Sequence, residues 1–252
     1  MRSKADMSKL LKGSLPAVYW MGFLLADGHF TKSGSAIQVS VALQDQDHLT
    51  RFANFVGSNV RIGLNECRTS LKNKQLFPSL IAAYDIQHNK TYNPPNLKKL
   101  ELDKQQFFAL FVGFFDGDGC VNIKKNGDGY GRIRVHASWF ENLNFFSDLI
   151  IDRFGKLSRQ RPLIDARGYA SWSLNLTTLR TIRGEAVRLS LPSMARKWDK
   201  IPARKILDQE LVKYIQNSCD SPKAIASELN LPYGTVYGIK TGRSWRNLGN
   251  VP

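Results

Sequence analysis

The chain repeats itself, and that repeat limits its possible folds more than any other feature. Residues 19–30 read YWMGFLLADGHF and residues 110–121 read LFVGFFDGDGCV. Both are apolar, helix-like runs with a glycine, a small residue four positions later, and a closing Asp-Gly. Gly22 and Ala26 match Gly113 and Gly117, and Asp27-Gly28 matches Asp118-Gly119, at a constant offset of 91 residues. A repeat at that spacing points to two related halves on one chain. After the first copy comes a Ser33-Gly34-Ser35 turn and the alternating run Ile37-Gln38-Val39-Ser40-Val41. After the second comes Asn126-Gly127-Asp128-Gly129 and then Ile133-Arg134-Val135-His136-Ala137. Turn residues flanked by period-two alternation predict hairpins. An amphipathic helix then closes on glycine in each copy, DQDHLTRFANFVG and ENLNFFSDLIIDRFG. Further strands are expected around Ile81–Ile86 and Tyr169–Leu176.

The fold class read from this pattern is α+β. An N-terminal half over 1–100 joins a C-terminal half over 101–202 near Asn93-Pro94-Pro95. Residues 203–252 differ in character. A helix over 206–216 precedes Ser221-Pro222 as a helix start, a helix Lys223–Leu229, a turn at Asn230–Pro232 and a helix near Tyr233–Lys240. That is helix-turn-helix spacing, with Ile225, Leu229, Leu231, Val236 and Ile239 as its core.

Glycine and a small residue four apart lie on one helical stripe, so two such helices can approach more closely than leucine-faced ones. Packed about a pseudo-two-fold axis, their C-terminal ends meet and Asp27 faces Asp118. A carboxylate at the negative end of a helix dipole costs ~0.3–1 kcal/mol, and two carboxylates in proximity repel unless a cation lies between them. A hard divalent ion removes both penalties and shares its shell with phosphate and water. The rival reading makes each Asp-Gly a plain helix-ending turn, with glycine in the left-handed conformation.

Charge names the partner's class. Thirty-six Lys+Arg against 21 Asp+Glu give +15, and such an excess favours a polyanion through counterion release. Outward positions on the strands carry Gln38 and Ser40 in the first half, and Asn122, Lys124, Arg132, Arg134 and His136 in the second. Such rows suit a sheet lying in the major groove; an ordinary solvated sheet on a merely basic protein is the alternative. Three cysteines, no secretory signal and no apolar run near the ~18 residues of a membrane span lead to an expectation of a soluble protein in a reducing compartment, with no membrane partner.

The doubled motif resembles the LAGLIDADG homing endonucleases in their monomeric, two-motif form. FVGFFDGDG at 111–119 is close to the family pattern, and WMGFLLADG at 20–28 departs at its sixth position, where Leu25 replaces the usual Asp. The resemblance covers about 190 residues, read against the motif grammar of repeats. It implies an αββαββα half repeated twice, saddle-shaped antiparallel sheets over the major groove, and cleavage of both strands across the minor groove to leave short 3′ overhangs. Asp27 and Asp118 take the acidic ligand position, with the carbonyls of Ala26 and Gly117 as further ligands. Mg²⁺ is the implied cofactor, with Mn²⁺ or Ca²⁺ substituting for binding. Peripheral water-ordering groups are expected at Gln44, at Lys197 within Ser193–Trp198, and at Lys98 as its first-half partner. The tail resembles helix-turn-helix segments appended to some phage and bacterial members, which puts Thr235, Tyr237, Lys240 and Arg243 near DNA; a small helical cap is the alternative.

The resulting expectation is a site-specific double-strand DNA endonuclease acting as a monomer on a long recognition site, in the cytoplasm of a bacterium or phage-infected host, or in an organelle. Two rivals stand beside it: an RNA maturase acting on its own group I intron, and a catalytically inactive DNA-binding regulator. Retention of Asp27 and Asp118 argues against the regulator. The Met1 start and the Asn250-Val251-Pro252 end argue against a splicing-active intein.

Overall fold

The computed structural model describes residues 5–31, 36–87, 89–125, 128–155, 161–203, 207, 209–229 and 231–244. The turn residues Ser33, Gly34, Ser35, Asn126, Gly127 and Asn230, and the terminal Asn250–Pro252, lie outside them. The first half runs α1 (Leu15–Asp27), β1 (Gly28–Phe30), β2 (Ala36–Ala42), α2 (Gln46–Val56), β3 (Arg61–Ile62), β4 (Glu66–Lys72) and α3 (Phe77–Ala83). The second runs α4 (Lys104–Asp118), β5 (Gly119–Ile123), β6 (Gly129–His136), α5 (Phe140–Phe154), β7 (Leu163–Ile164), β8 (Tyr169–Asn175) and α6 (Leu176–Arg188). Each half is therefore αββαββα. Each sheet has four antiparallel strands, in the order β1-β2-β4-β3 and β5-β6-β8-β7. A short α7 (Ala195–Trp198) follows the second half.

Local chemistry starts the two central helices in different ways. Ser14 caps α1 by accepting from the Ala17 amide, with Pro16 in the first turn. Asp103 caps α4 in a reciprocal box with Gln106. Both helices are buried almost all round, as an apolar helix in the middle of a domain must be. A Cβ on Gly22 would fall 2.0 Å from the carbonyl oxygen of Leu110, and one on Gly113 would fall 1.9 Å from that of Tyr19. The helices thus meet backbone to backbone, each glycine against the other helix's main chain. Lower down, a Cβ on Gly117 would lie 2.2 Å from that of Ala26.

The strands alternate as expected. Ile37, Val39 and Val41 are buried while Gln38 and Ser40 are exposed. One expectation fails: Ile81–Ile86 is not a strand. Pro78 sits in the first turn of α3, which covers Phe77–Ala83, and Asn73 accepts from the Gln75 and Leu76 amides just before it. Proline suits a first helical turn and cannot serve a sheet ladder. The pairing partner of β2 is instead β4, where Cys67, Thr69 and Leu71 point inward.

The tail forms α8 (Gln209–Asn217), α9 (Pro222–Glu228) and α10 (Tyr233–Lys240) around Val212, Ile215, Ile225, Leu231, Val236 and Ile239, a cluster separate from the main core. Ser221 caps α9 through the Ala224 amide. Among the described residues no helix is long and apolar enough to cross a membrane.

Gly113→Leu is expected to force the central helices apart. Backbone on the far side cannot yield as a side chain would, so the loss should reach ~3 kcal/mol or more. Urea denaturation of the variant measures it, and an unchanged midpoint would contradict the close approach.

Candidate active site

Asp27 and Asp118 are the last residues of α1 and α4. The glycines after them are extended, Gly28 at φ −75° and ψ 136° and Gly119 at φ −84° and ψ 155°. Neither is a left-handed helix stop, so the rival reading of Asp-Gly as a plain terminating turn does not hold. These glycines are required by space, because a Cβ on either would lie 2.4 Å from a carbonyl oxygen of the preceding turn. The Asp27 carboxyl carbon is 3.4 Å from where a Gly117 Cβ would stand, which puts that carboxyl against the end of α4.

The two carboxyls stand close enough to act on one another. Burial, then the charge of Asp118, pushes the Asp27 carboxyl up to about 6, against the opposing pull of Lys197 and Lys90. Burial also raises Asp118, again against Lys90 and Lys197. Two lysines therefore stand beside two carboxylates. Lys90 Nζ donates to the carbonyls of Leu25 and Ala26, each at 2.7 Å. Lys197 Nζ donates to the carbonyls of Gly117 at 3.0 Å and Phe115 at 3.3 Å, and to that of Asp116. Each ammonium caps the unsatisfied carbonyl end of one motif helix. Burial lowers both amines, and the nearby carboxylates oppose that shift.

Lys197, expected from the sequence as a peripheral water-ordering group, is instead buried with its ammonium on the carbonyls at the end of α4. Its counterpart is not Lys98. That residue is exposed on the 3₁₀ turn Leu97–Lys99, and Lys90 occupies the corresponding place at the end of α1. Sequence spacing from the motif could not separate lysines at 90, 98 and 99, because the loop between α3 and α4 has no period. The carbonyl of Ala26 already accepts from Lys90 and that of Gly117 from Lys197, so a metal would reach only their second lone pairs. Gln44 is exposed on the 3₁₀ turn Leu43–Asp45.

The motif's remaining acid has a separate task. Asp116 is wholly buried and accepts from Tyr19 Oη at 2.5 Å, Trp198 Nε1 at 2.6 Å and the Met194 amide at 2.9 Å. Behind Tyr19, its hydroxyl meets His48 Nε2 at 3.1 Å, and Arg51 donates to His48 Nδ1 at 3.2 Å. Burial first, then Arg51 and Lys197, depress His48 to about 3, so the ring is neutral and its Nε2 carries the proton. This hub ties α1, α2 and α4 to the segment bearing Lys197. Asp116 was visible as the sixth motif residue, but its function needed partners 70 to 100 residues away.

The outward strand positions differ in freedom. Gln38, Ser40, Asn122 and Lys124 are exposed and Arg132 is half-buried. Gln38 and Ser40 pair with Ser70 and Arg68 across the sheet and line a groove of 680 Å³ with Arg61 and Lys72. Arg134 is held by Asp165 at 2.7 Å and lies over the Tyr169 ring, and His136 Nδ1 accepts from the Ser138 amide. In the tail, Lys240 Nζ is committed to the carbonyls of Ser218 and Asp220, which makes it a brace between helices. Thr235 is half-buried on α10; Tyr237 is exposed and stacks with Tyr233 beneath Arg243.

A divalent ion fits this donor set. Among the described residues no three His, Cys, Asp or Glu side chains form a cage, so the protein offers a carboxylate pair and carbonyl oxygens. Mg²⁺, which keeps several waters and takes phosphate oxygens, suits so open an oxygen site.

No protein-family model matches the chain. In sequence it is 26% identical over 185 residues to the intron-encoded RNA maturase bI4 of Saccharomyces cerevisiae, across 65% of this chain. The match spans 28% of the maturase's own length. Among solved structures it is similar to the LAGLIDADG homing endonuclease I-GzeII in complex with its DNA target, at 12% identity and a TM-score of 0.48, over 91% of this chain and 98% of that one. It is similar also to I-SmaMI bound to uncleaved DNA in the presence of calcium ions, at 13% identity and a TM-score of 0.47, over 89% and 97%. With its paired motif helices and twin sheets, the chain resembles the LAGLIDADG homing endonucleases.

The raised Asp27 carboxyl has a consequence for stability. Its folded value of about 6 exceeds the unfolded 3.8, so the folded state holds the extra proton between them. Stabilisation from this group is full below 3.8 and is lost as pH rises through about 6. Melting in chelator should therefore fall from pH 4 to 7, with a shallower fall in Asp27→Asn. An identical slope in the variant would contradict the coupling.

Proposed function

We propose that the chain is a site-specific double-strand DNA endonuclease of the homing type, acting as a monomer with its two active sites at the meeting of the two motif helices. The observation that carries this reading is the meeting of Asp27 and Asp118 at two apposed helix ends, one capped by half-buried Lys90 and the other by buried Lys197. The domains that serve it are 1–100, 101–202 and a tail over 203–252.

In this reading Asp27 and Asp118 hold divalent cations, with the Ala26 and Gly117 carbonyls as supplementary ligands. Bound Mg²⁺ supplies polarisation of the scissile phosphates, activation of water and stabilisation of the leaving oxygens. Lys90 and Lys197 offset the charge of the carboxylates, so that a polyanion can approach. Gln44, exposed on the turn after β2, orders water. Gln38, Ser40, Asn122, Lys124 and Arg132 face the bases, and the net charge of +15 supplies the salt-dependent part of affinity. Product ends carry short 3′ overhangs because the two scissile bonds lie across the minor groove. In the tail, Thr235, Tyr237 and Arg243 extend the footprint.

Digestion of DNA spanning the gene's own insertion site, with Mg²⁺ present, tests the proposal. Asp27→Asn and Asp118→Asn should each lower cleavage by ~10³-fold or more, the rate equivalent of several kcal/mol, while duplex binding in Ca²⁺ is retained. Full cutting by either variant would refute the mechanism. Deleting 204–252 should weaken binding and flatten its salt dependence; an unchanged isotherm would make the tail a cap.

A second reading, RNA maturase activity on the chain's own intron, draws support from the likeness to the yeast maturase. Basic strands serve either polymer, so splicing assays with the host intron discriminate the two.

A further inference from the structure

We propose that each half of the molecule positions the other half's active-site lysine, so that the two strand cuts depend on crossed anchors. The proposal rests on the nuclease reading for its effect on cutting, and on geometry alone for the anchors.

The segment bearing Lys197 belongs to the second half, where Asp116 accepts from Met194 and Trp198 on either side of it, yet the first half grips it as well. Asp45, at the end of the 3₁₀ turn after β2, grips Arg196 in a two-pronged ion pair, with Arg196 Nη2 2.9 Å from Oδ2 and Nε on Oδ1. Arg51 on α2 donates to the Ser193 carbonyl at 3.0 Å. These contacts bracket Lys197 on its N-terminal side, and Arg196 is its immediate neighbour.

The segment bearing Lys90 belongs to the first half, and the second half holds it. Trp139, at the end of the 3₁₀ turn Ala137–Trp139 after β6, donates from Nε1 to the carbonyl of Lys90 itself at 3.1 Å. Ser138 Oγ donates to the Thr91 carbonyl at 2.6 Å. The Tyr92 ring meets His136 edge to face at 4.7 Å, and Asn142 Nδ2 donates to the Pro95 carbonyl at 2.9 Å.

The correspondence is topological. In each half the long second strand ends in a 3₁₀ turn, Leu43–Asp45 after β2 and Ala137–Trp139 after β6. Each turn reaches across to the lysine segment of the opposite half. The chemistry differs, an ion pair on one side and neutral hydrogen bonds on the other, so the shared feature is the crossing and not the residue type. A lysine's four-carbon stem does not place its own ammonium. Fixing the neighbouring backbone is what holds Nζ on the helix carbonyls.

Asp45, Arg51, Ser138 and Trp139 are thus positioning residues, and their loss should be felt at one strand. With an end-labelled duplex carrying a different label on each strand, Asp45→Ala should slow one strand's cut by ~10–100-fold, the usual effect of removing an outer support. The other strand's rate should hold and nicked product should accumulate. Ser138→Ala with Trp139→Phe, which keeps the buried ring, should slow the opposite strand. The exchanged pair Asp45→Arg with Arg196→Asp should restore much of the loss. In the same preparations, amine-reactive labelling read by peptide mass spectrometry should find Lys197 protected in the parent and modified faster in Asp45→Ala. Equal slowing of both strands, no slowing of either, or unchanged protection of Lys197 would overturn the proposal. A parent chain that cuts neither strand would overturn the nuclease reading, while the Lys197 labelling would still decide the anchor.

Discussion

Everything in the molecule depends on two α-helices touching through their main chains. Gly22 lies on the carbonyl of Leu110 and Gly113 on that of Tyr19, closer than any side chain would permit. That contact brings the ends of the helices together, and with them two carboxylates at the negative poles of two helix dipoles. Each such placement costs ~0.3–1 kcal/mol from the dipole alone. Hydrogen bonds to a charged group contribute ~1.5–3 kcal/mol apiece, and Lys90 makes two to the carbonyls of one helix end while Lys197 makes three to the other. The lysines set positive charge against both negative poles, while burial keeps Asp27 and Asp118 raised.

The two halves share a plan and differ in its execution. At the sixth motif position the second half has Asp116, which draws Tyr19, Trp198 and the Met194 amide into one buried hub. The first half has Leu25 there, and its lysine segment is held by Trp139, Ser138 and Asn142 without a buried acid. Neutral His48, fixed between Arg51 and Tyr19, passes the hub out to α2. A molecule built this way has symmetric helix ends and asymmetric supports.

Much of this was legible in the residues. The 91-residue offset carried the two halves, the small-residue stripe carried the helix contact, and strict alternation in Ile37–Val41 carried the sheet face. β4 escaped because Cys67 and Thr69 are weak inward markers, and the apolar residues of α3 imitate a strand until Pro78 is given its due at a helix start. Lys90 escaped for a deeper reason. Its role comes from tertiary anchoring of an irregular loop, and no periodicity in the loop distinguishes it from Lys98. Arg134 and Lys240 looked free for DNA, but Asp165 and two tail carbonyls take them up, partners that no local pattern reveals.

Anomalous scattering from manganese addresses the account most directly, in crystals of the protein with a duplex spanning the gene's insertion site. The account predicts a peak bridging the carboxylates of Asp27 and Asp118 and touching phosphate oxygens of both strands. A complex that cuts its DNA yet has no metal between those two side chains, or binds it elsewhere, would contradict it.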